Sequence, residues 1–236
     1  MRVDPDIVGK IKAALHDGHT VVITSGLLKA LQGHGIEDVV DLEDTGQVAP
    51  IRHFVDGYGA GAGTSLDDDN AARPAVLFPQ IRFYTNDSWP IIRGVAADKG
   101  FPIMLMNRYS AGTLMVLTIP ENPGDLYNLP QPLLTRIRGY LSADLPVMLD
   151  APDHVALFAY DNGRMVLESY RPEATTVTVR VKGAPTALRD VASGRRIAPE
   201  IMGSPIRPHN RQQDPAQTYF TVTLPAHSFQ VLAAER

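Results

Sequence analysis

The chain has no cysteine. That excludes disulfides, thiolate metal sites, iron–sulfur clusters and a cysteine nucleophile, and leaves the redox compartment open. Tryptophan occurs once, at Trp89. No apolar run approaches the roughly 20 residues that span a bilayer. The opening "MRVDPDIVGK" lacks the apolar stretch of a signal peptide. A soluble protein without a membrane partner is expected, in an undetermined compartment. Basic residues are no excess either: 22 Lys and Arg stand against 26 Asp and Glu, a formal net charge of −4. Nothing in that balance would draw nucleic acid or an anionic membrane.

What is present is ordinary for a globular protein: 236 residues, 44% hydrophobic and 20% charged. A chain of this mass buries roughly 70% of its unfolded surface, enough for one or two cores. Residues 4–17 read as a helix, with Asp4 as N-cap, Pro5 at the first helical position and Ile7, Val8, Ile11, Ala14 and Leu15 on one face. "TVVIT" (20–24) reads as a short strand buried on both faces. Ser25 then caps a second helix carrying Leu27, Leu28 and Leu31, which stops near Gly33 and Gly35. Helix, strand, helix is an α/β pattern.

A β-rich insertion follows over about 48–110, with strands at 48–56, 75–85 and 101–109, and a further strand at 112–120. The segment "GYGAGAGTSLDDDNAARP" reads as a mobile surface loop. A proline-rich turn at 120–132 leads into a helix at 132–142 and a strand at 145–150. Beyond about 151 the period switches to two. A hairpin turns at Asp161-Asn162-Gly163, Val177, Val179 and Val181 share one side of a strand, and a second pair turns at Ser193-Gly194. Short strands with regular turns suggest a small antiparallel β-sandwich. The boundary is set at Ala151-Pro152, giving domains of 1–150 and 151–236.

Five stretches invite chemistry. Ser25 follows a strand and precedes a helix, but a nucleophile elbow needs glycine on both sides, and the upstream position is Ile23. Capping explains Ser25 with about 1 kcal/mol. "GYGAGAG" (57–63) resembles a dinucleotide fingerprint, yet three aspartates and no apolar helix follow it. No cofactor is implied. Asp67, Asp68, Asp69 and Asn70 can offer oxygens to Ca²⁺ but lack the EF-hand spacing, and His16 and His19 straddle a helix end. No metal site is assigned.

"TNDSWP" (85–90) sets Trp89 beside Asn86, Asp87 and Ser88. An aromatic ring next to amide and carboxylate groups suits a sugar, the ring stacking on its apolar face. The plainer reading is an Asx-type turn with Trp89 on a core edge. The candidate ligand residues are Tyr84, Asn86, Asp87 and Trp89, with Tyr109 as a further aromatic. Asp87 and Asp125 are the weak candidates for a glycosidase acid and base. Spacing does not make them converge.

The order of segments is familiar. "IKAALHDGHTVVITSGLLKAL" resembles the late helix–strand–helix of the glutamine-amidotransferase-like domain of large glycoside hydrolases, the trimerisation domain of β-galactosidase-type enzymes. "GTLMVLTIPENPGDLYNLPQPLLTRIRGYL" is similar to the last strand and helix of that domain. "ALRDVASGRRI" with "YFTVTLPAHSFQVL" resembles the closing β-sandwich of many glycosidases.

The resemblance implies a partial flavodoxin-like α/β domain followed by the sandwich. A true amidotransferase needs the cysteine that is missing here. The catalytic carboxylates of such glycosidases stand in an upstream (β/α)₈ barrel, which takes about 250 residues. The expectation is therefore a non-catalytic accessory or oligomerisation region, either a C-terminal fragment or a stand-alone relative. Its partner would be a catalytic barrel, a second copy or an oligosaccharide. Two alternatives stay open: a small carbohydrate-active hydrolase using Asp87 and Asp125, and a carbohydrate-binding module using Trp89.

Overall fold

The computed structural model describes residues 4–57, 63–70, 73–84, 87–200 and 216–235. The chain forms two compact units, Met1–Pro130 and Gln131–Arg236. Both are rich in β-strand.

In the first unit, helix α1 spans Ile7–His16, and strand β1 (Thr20–Thr24) leads into helix α2 (Ser25–Leu31). The remaining strands are β2 (Leu42–Ile51), β3 (His53–Asp56), β4 (Val76–Phe83), β5 (Ser88–Ala96), β6 (Lys99–Tyr109) and β7 (Gly112–Leu117). Five of them form one sheet in the order β1-β7-β6-β5-β3, while β2 and β4 pair as a separate ribbon. Of the strands expected at 48–56, 75–85 and 101–109, β3 and β6 join the sheet that holds β1, whereas β4 pairs with β2 in the ribbon.

Only β1 and β7 run parallel among the described strand pairs of this unit; the others are antiparallel. The α/β character is therefore confined to α1, β1, α2 and β7. Ile11 and Leu15 of α1, Leu28 and Leu31 of α2, and Leu105, Leu114 and Val116 of the sheet share one core. The β2–β4 ribbon adds Leu42 and Ile81 to it. Phe54 and Phe78 meet edge to face at 6.1 Å.

Several local expectations are corrected. α1 begins two residues after Pro5, with Asp6 at the N-cap. The Asp4 carboxylate instead accepts from the Asp6 amide at 3.0 Å and pairs with Lys10 at 2.5 Å. β1 is an edge strand in which only Ile23 is fully buried, so it is not covered on both faces. The cap of α2 is Thr24, whose hydroxyl accepts from the Leu27 amide at 3.3 Å. Ser25 is buried one position inside the helix, and its Oγ accepts from the Ile119 amide at 3.0 Å. It ties the chain leaving β7 to the start of α2. β5 is the strand the sequence pattern hides. Pro90 interrupts its ladder, and its register with β6 shifts on both sides of Ile92, so no clean alternation survives.

The second unit opens with helix α3 (Gln131–Leu141). Strands β8 (Val147–Asp150), β11 (Thr175–Lys182) and β14 (Gln217–Leu224) form one antiparallel sheet in the order β14-β11-β8. The other contains β9 (Val155–Ala159), β10 (Arg164–Ser169), β12 (Ala187–Asp190), β13 (Arg196–Ile197) and β15 (Ser228–Glu235), in the order β13-β12-β15-β10-β9. One core holds inward residues of both sheets: Met165, Leu167 and Leu232 from one, Val177, Val179, Phe220 and Val222 from the other. Gly163 supplies the positive φ that closes the β9–β10 hairpin. β8, at the end of the first domain as read from sequence, pairs with β11 in this unit.

Two glycines give opposite predictions. A Cβ on Gly112 would lie 2.5 Å from the Leu15 carbonyl oxygen and 2.7 Å from that of His19, where α1, β1 and β7 converge. Gly139, inside α3, has nothing within 4 Å of its Cβ position. Gly112→Ala is expected to cost about 1–3 kcal/mol, because backbone must move. Gly139→Ala is expected to gain about 1 kcal/mol. Denaturant titrations of the two variants read both.

Candidate functional site

A cleft of about 280 Å³ opens in the first unit. One wall is the turn after α2, from Glu37 to Asp41; the other combines Tyr84, Asp87 and Ser88 with Asn107, Arg108 and Tyr109 at the end of β6. The wall is held by a buried pair. Ser88 opens β5 opposite Asn107 of β6, and its hydroxyl donates to Asn107 Oδ1. Asn107 in turn donates to the Leu114 carbonyl at 3.4 Å. Three strands are thus pinned behind the cleft floor.

Its four acids, Glu37, Asp38, Asp41 and Asp87, are all exposed. Glu37 acts as a loop staple, its carboxylate accepting from the Gly33 amide at 2.5 Å and the Gly35 amide at 3.2 Å. These bonds favour the charged form and hold the Glu37 carboxyl below its ordinary value. Asp38 pairs with Lys12 at 2.9 Å. A glycosidase acid needs the reverse, a carboxyl kept protonated by a dry pocket. The cleft can offer hydrogen-bond acceptors, two phenols and one guanidinium to a polar ligand.

The sequence candidates scatter. Tyr84 and Asp87 both line the cleft. Trp89 is not among the lining residues; it is half-buried in β5 opposite Met106, with the Arg108 guanidinium over its ring at 5.6 Å. One face of the ring is therefore taken by a cation. Asn86 lies outside the described residues. Asp125 stands apart from Asp87, in the turn Pro123–Asn128, where its Oδ1 accepts from Asn122 at 3.4 Å and Asn128 at 3.2 Å. The two carboxylates proposed as acid and base are not brought into one site.

The glycine-rich and acidic loop is knitted to its neighbours where it is described; 58–62 and 71–72 are outside those residues. Asp67 accepts from the Phe54 amide at 2.8 Å and contacts His53 at 3.1 Å, while Asp68 pairs with Arg73. These carboxylates serve loop geometry.

Sequence reasoning missed a charged cluster in the second unit. Arg138 of α3 donates to the carbonyls of Ala151, Pro152 and Val155, fastening the turn between β8 and β9. Asp150 accepts from Arg180 at 2.6 Å, and Asp153 pairs with Arg171. Burial pushes the Asp150 carboxyl up, and the guanidiniums of Arg180 and Arg138 pull it back. A raised carboxyl is a functional signal in a pocket, but this one is engaged by its arginine partner. In the sequence Arg138, Asp150, Asp153, Arg171 and Arg180 lie too far apart to mark a cluster.

Residues 146–234 match the family described as "Probable glycosyl hydrolase, C-terminal domain". The likeness to the C-terminal region of a glycoside hydrolase, read above from the sequence, is shown by this match. Among solved structures, the chain is similar to the cold-adapted β-galactosidase from Rahnella sp. R3 (13% identity, TM-score 0.49, covering 98% of this chain and 30% of that one). It is also similar to the β-galactosidase from Bacillus circulans sp. alkalophilus (15% identity, TM-score 0.47, 98% and 31%). A third is a catalytic mutant of a GH42 β-galactosidase from G. stearothermophilus (13% identity, TM-score 0.45, 99% and 30%). The chain spans less than a third of the length of these structures. No curated protein matches it in sequence.

The Glu37 staple makes a pH prediction. Its folded pKa is depressed, so its charge contributes stability above the ordinary glutamate value of about 4.3, and that contribution disappears as pH falls through the lower folded value. Glu37→Gln should be less stable than wild type at neutral pH, with the gap closing in acid. Denaturation midpoints across pH 2–7 measure it.

Proposed function

We propose that this chain is a non-catalytic accessory region of a glycoside-hydrolase-related protein, acting in carbohydrate processing by packing against a catalytic barrel domain or subunit. The observation that carries this reading is the match of residues 146–234 to a glycosyl hydrolase C-terminal domain. Support comes from the cleft, whose acids are exposed where a hydrolase requires a shielded pair. The first unit is then the remnant of an amidotransferase-like, partial flavodoxin-like domain, with α1, β1, α2 and β7 as its retained α/β elements. The second is a β-sandwich, its two sheets sharing one core.

Aryl glycosides of several sugars should give no aglycone release above buffer with the purified chain. Hydrolysis that disappears in Asp87→Asn or Asp125→Asn would overturn the reading and favour the small hydrolase.

A second reading is supported by Tyr84 and Asp87, which line one cleft, with Tyr84 54% exposed. An exposed phenol beside a carboxylate suits an oligosaccharide, the ring under a sugar and the acid on its hydroxyls. Calorimetric titration with galacto- and gluco-oligosaccharides is its test. Binding should weaken about tenfold or more in Tyr84→Ala, on the scale of roughly 1.4 kcal/mol per decade, and change little in Trp89→Phe. An absence of heat with every sugar would remove this reading and leave the first.

A further inference from the structure

The outer face of the second unit's larger sheet carries the inference. Along β9, β10 and β15, one set of side chains enters the core and the alternate set faces out. The register sorts the outward set into three rows across the strands. The first is Tyr160, Arg164 and Ala233; Tyr160 donates its amide to the Arg164 carbonyl just beyond the ladder. The second is Phe158, Val166 and Val231. The third is Ala156, Glu168 and Phe229. Phe158, Tyr160 and Phe229 are 46%, 50% and 66% exposed, unusually open for rings grouped on one sheet.

These rows are complementary to themselves. Consider a two-fold axis lying in the face, across the strands, along the middle row. The rotation sets the first row of one copy on the third row of the other. Tyr160 then faces Ala156, Arg164 faces Glu168, and Ala233 faces Phe229. Each large ring meets a small residue and each charge meets its opposite, while Phe158, Val166 and Val231 meet their own equivalents. Arg164 and Glu168 make no ion pair with one another within the chain, their backbones lying about 13 Å apart along an extended strand. An isologous interface demands this self-matching pattern, and sheets packed face to face tolerate the small crossing angle it needs.

We propose that this face is the contact between two copies of the chain, closed by Arg164–Glu168 pairs on both sides of a Phe158–Val166–Val231 seam. The proposal deepens the accessory reading by naming a partner. Its failure is separate, because a monomeric chain leaves the non-catalytic assignment standing and only hydrolysis overturns that.

Sedimentation equilibrium of the full chain over a concentration series is the experiment. Wild type should show a monomer–dimer equilibrium. Arg164→Glu or Glu168→Arg alone sets like charges face to face and should weaken association about tenfold or more. The Arg164→Glu/Glu168→Arg double variant should recover it. So should an equimolar mixture of the two single variants, whose heterodimer carries two attractive pairs. A misfolded variant cannot reproduce that rescue. A chain that stays monomeric at every concentration would overturn the proposal and leave the face to another part of a longer glycosidase. So would association insensitive to either reversal, or a mixture that associates no better than its components.

Discussion

Val177, Val179 and Val181 are buried along β11, and the residues between them are not. The rest of the second unit depends on that alternation. β11 is the central strand of its sheet, paired with β14 on one side and β8 on the other. Its valines meet a core that also takes Phe220 and Val222 from β14 and Met165 and Leu167 from the opposing sheet. A slip of one residue would turn all three valines to solvent and bury Thr176, Thr178 and Arg180 instead, so the register has one acceptable solution. Fixing it fixes what faces out. Arg180 is carried to the side where it reaches Asp150. On β10, burying Met165 and Leu167 obliges Arg164, Val166 and Glu168 to point away. The outer face is a consequence of the core.

The first unit is organised by close approach. Gly112 begins β7 where the end of α1 and the start of β1 leave no space for a Cβ. The parallel β1–β7 pair grows from that contact, and Ser25 fastens its far end by accepting from the Ile119 amide. Helices α1 and α2 are thereby held on one face of the sheet. The opposite end of the same sheet is governed by another glycine. Gly94 of β5 lets Ile51 of the β2–β4 ribbon come within what would be 2.5 Å of a Cβ. The ribbon can then seat Phe78 against Phe54.

Much of this was legible because it is local. The hairpin at Asp161-Asn162-Gly163, the alternation of β11 and the apolar faces of α1 and α3 are written in neighbouring residues. β5 was illegible for an equally physical reason. Pro90 and two register shifts destroy its period, and without the sheet nothing marks Trp89 as a strand residue. The cap of α2 falls one position before Ser25. Thr24 and Ser25 are both competent caps, and which of them turns inward depends on Ile119, far along the chain. The cleft lay further out of reach, since Glu37, Tyr84 and Arg108 converge only through sheet order. No spacing brings Asp87 and Asp125 together, and in the fold Asp87 lines the cleft while Asp125 sits in the turn Pro123–Asn128.

The placement of acids bears most on function. A carboxyl becomes an acid catalyst when burial opposes its charge and no cation cancels that effect. In the cleft and in the charged cluster described above, the two halves of that condition are separated. The cleft has the acids without the burial: Glu37 is even drawn downward by backbone amides. The second unit has the burial without the vacancy, because Asp150 meets Arg180 at 2.6 Å and the nearby turn is taken by Arg138. Without Arg180, only the Arg138 charge would oppose the burial that raises Asp150. The same charges that make poor catalysts make good fasteners, since a partly buried pair with directional hydrogen bonds fixes geometry even where it adds little net stability. Among the described residues these ionic groups hold turns and sheet edges, the use of charge that the accessory reading proposed above expects.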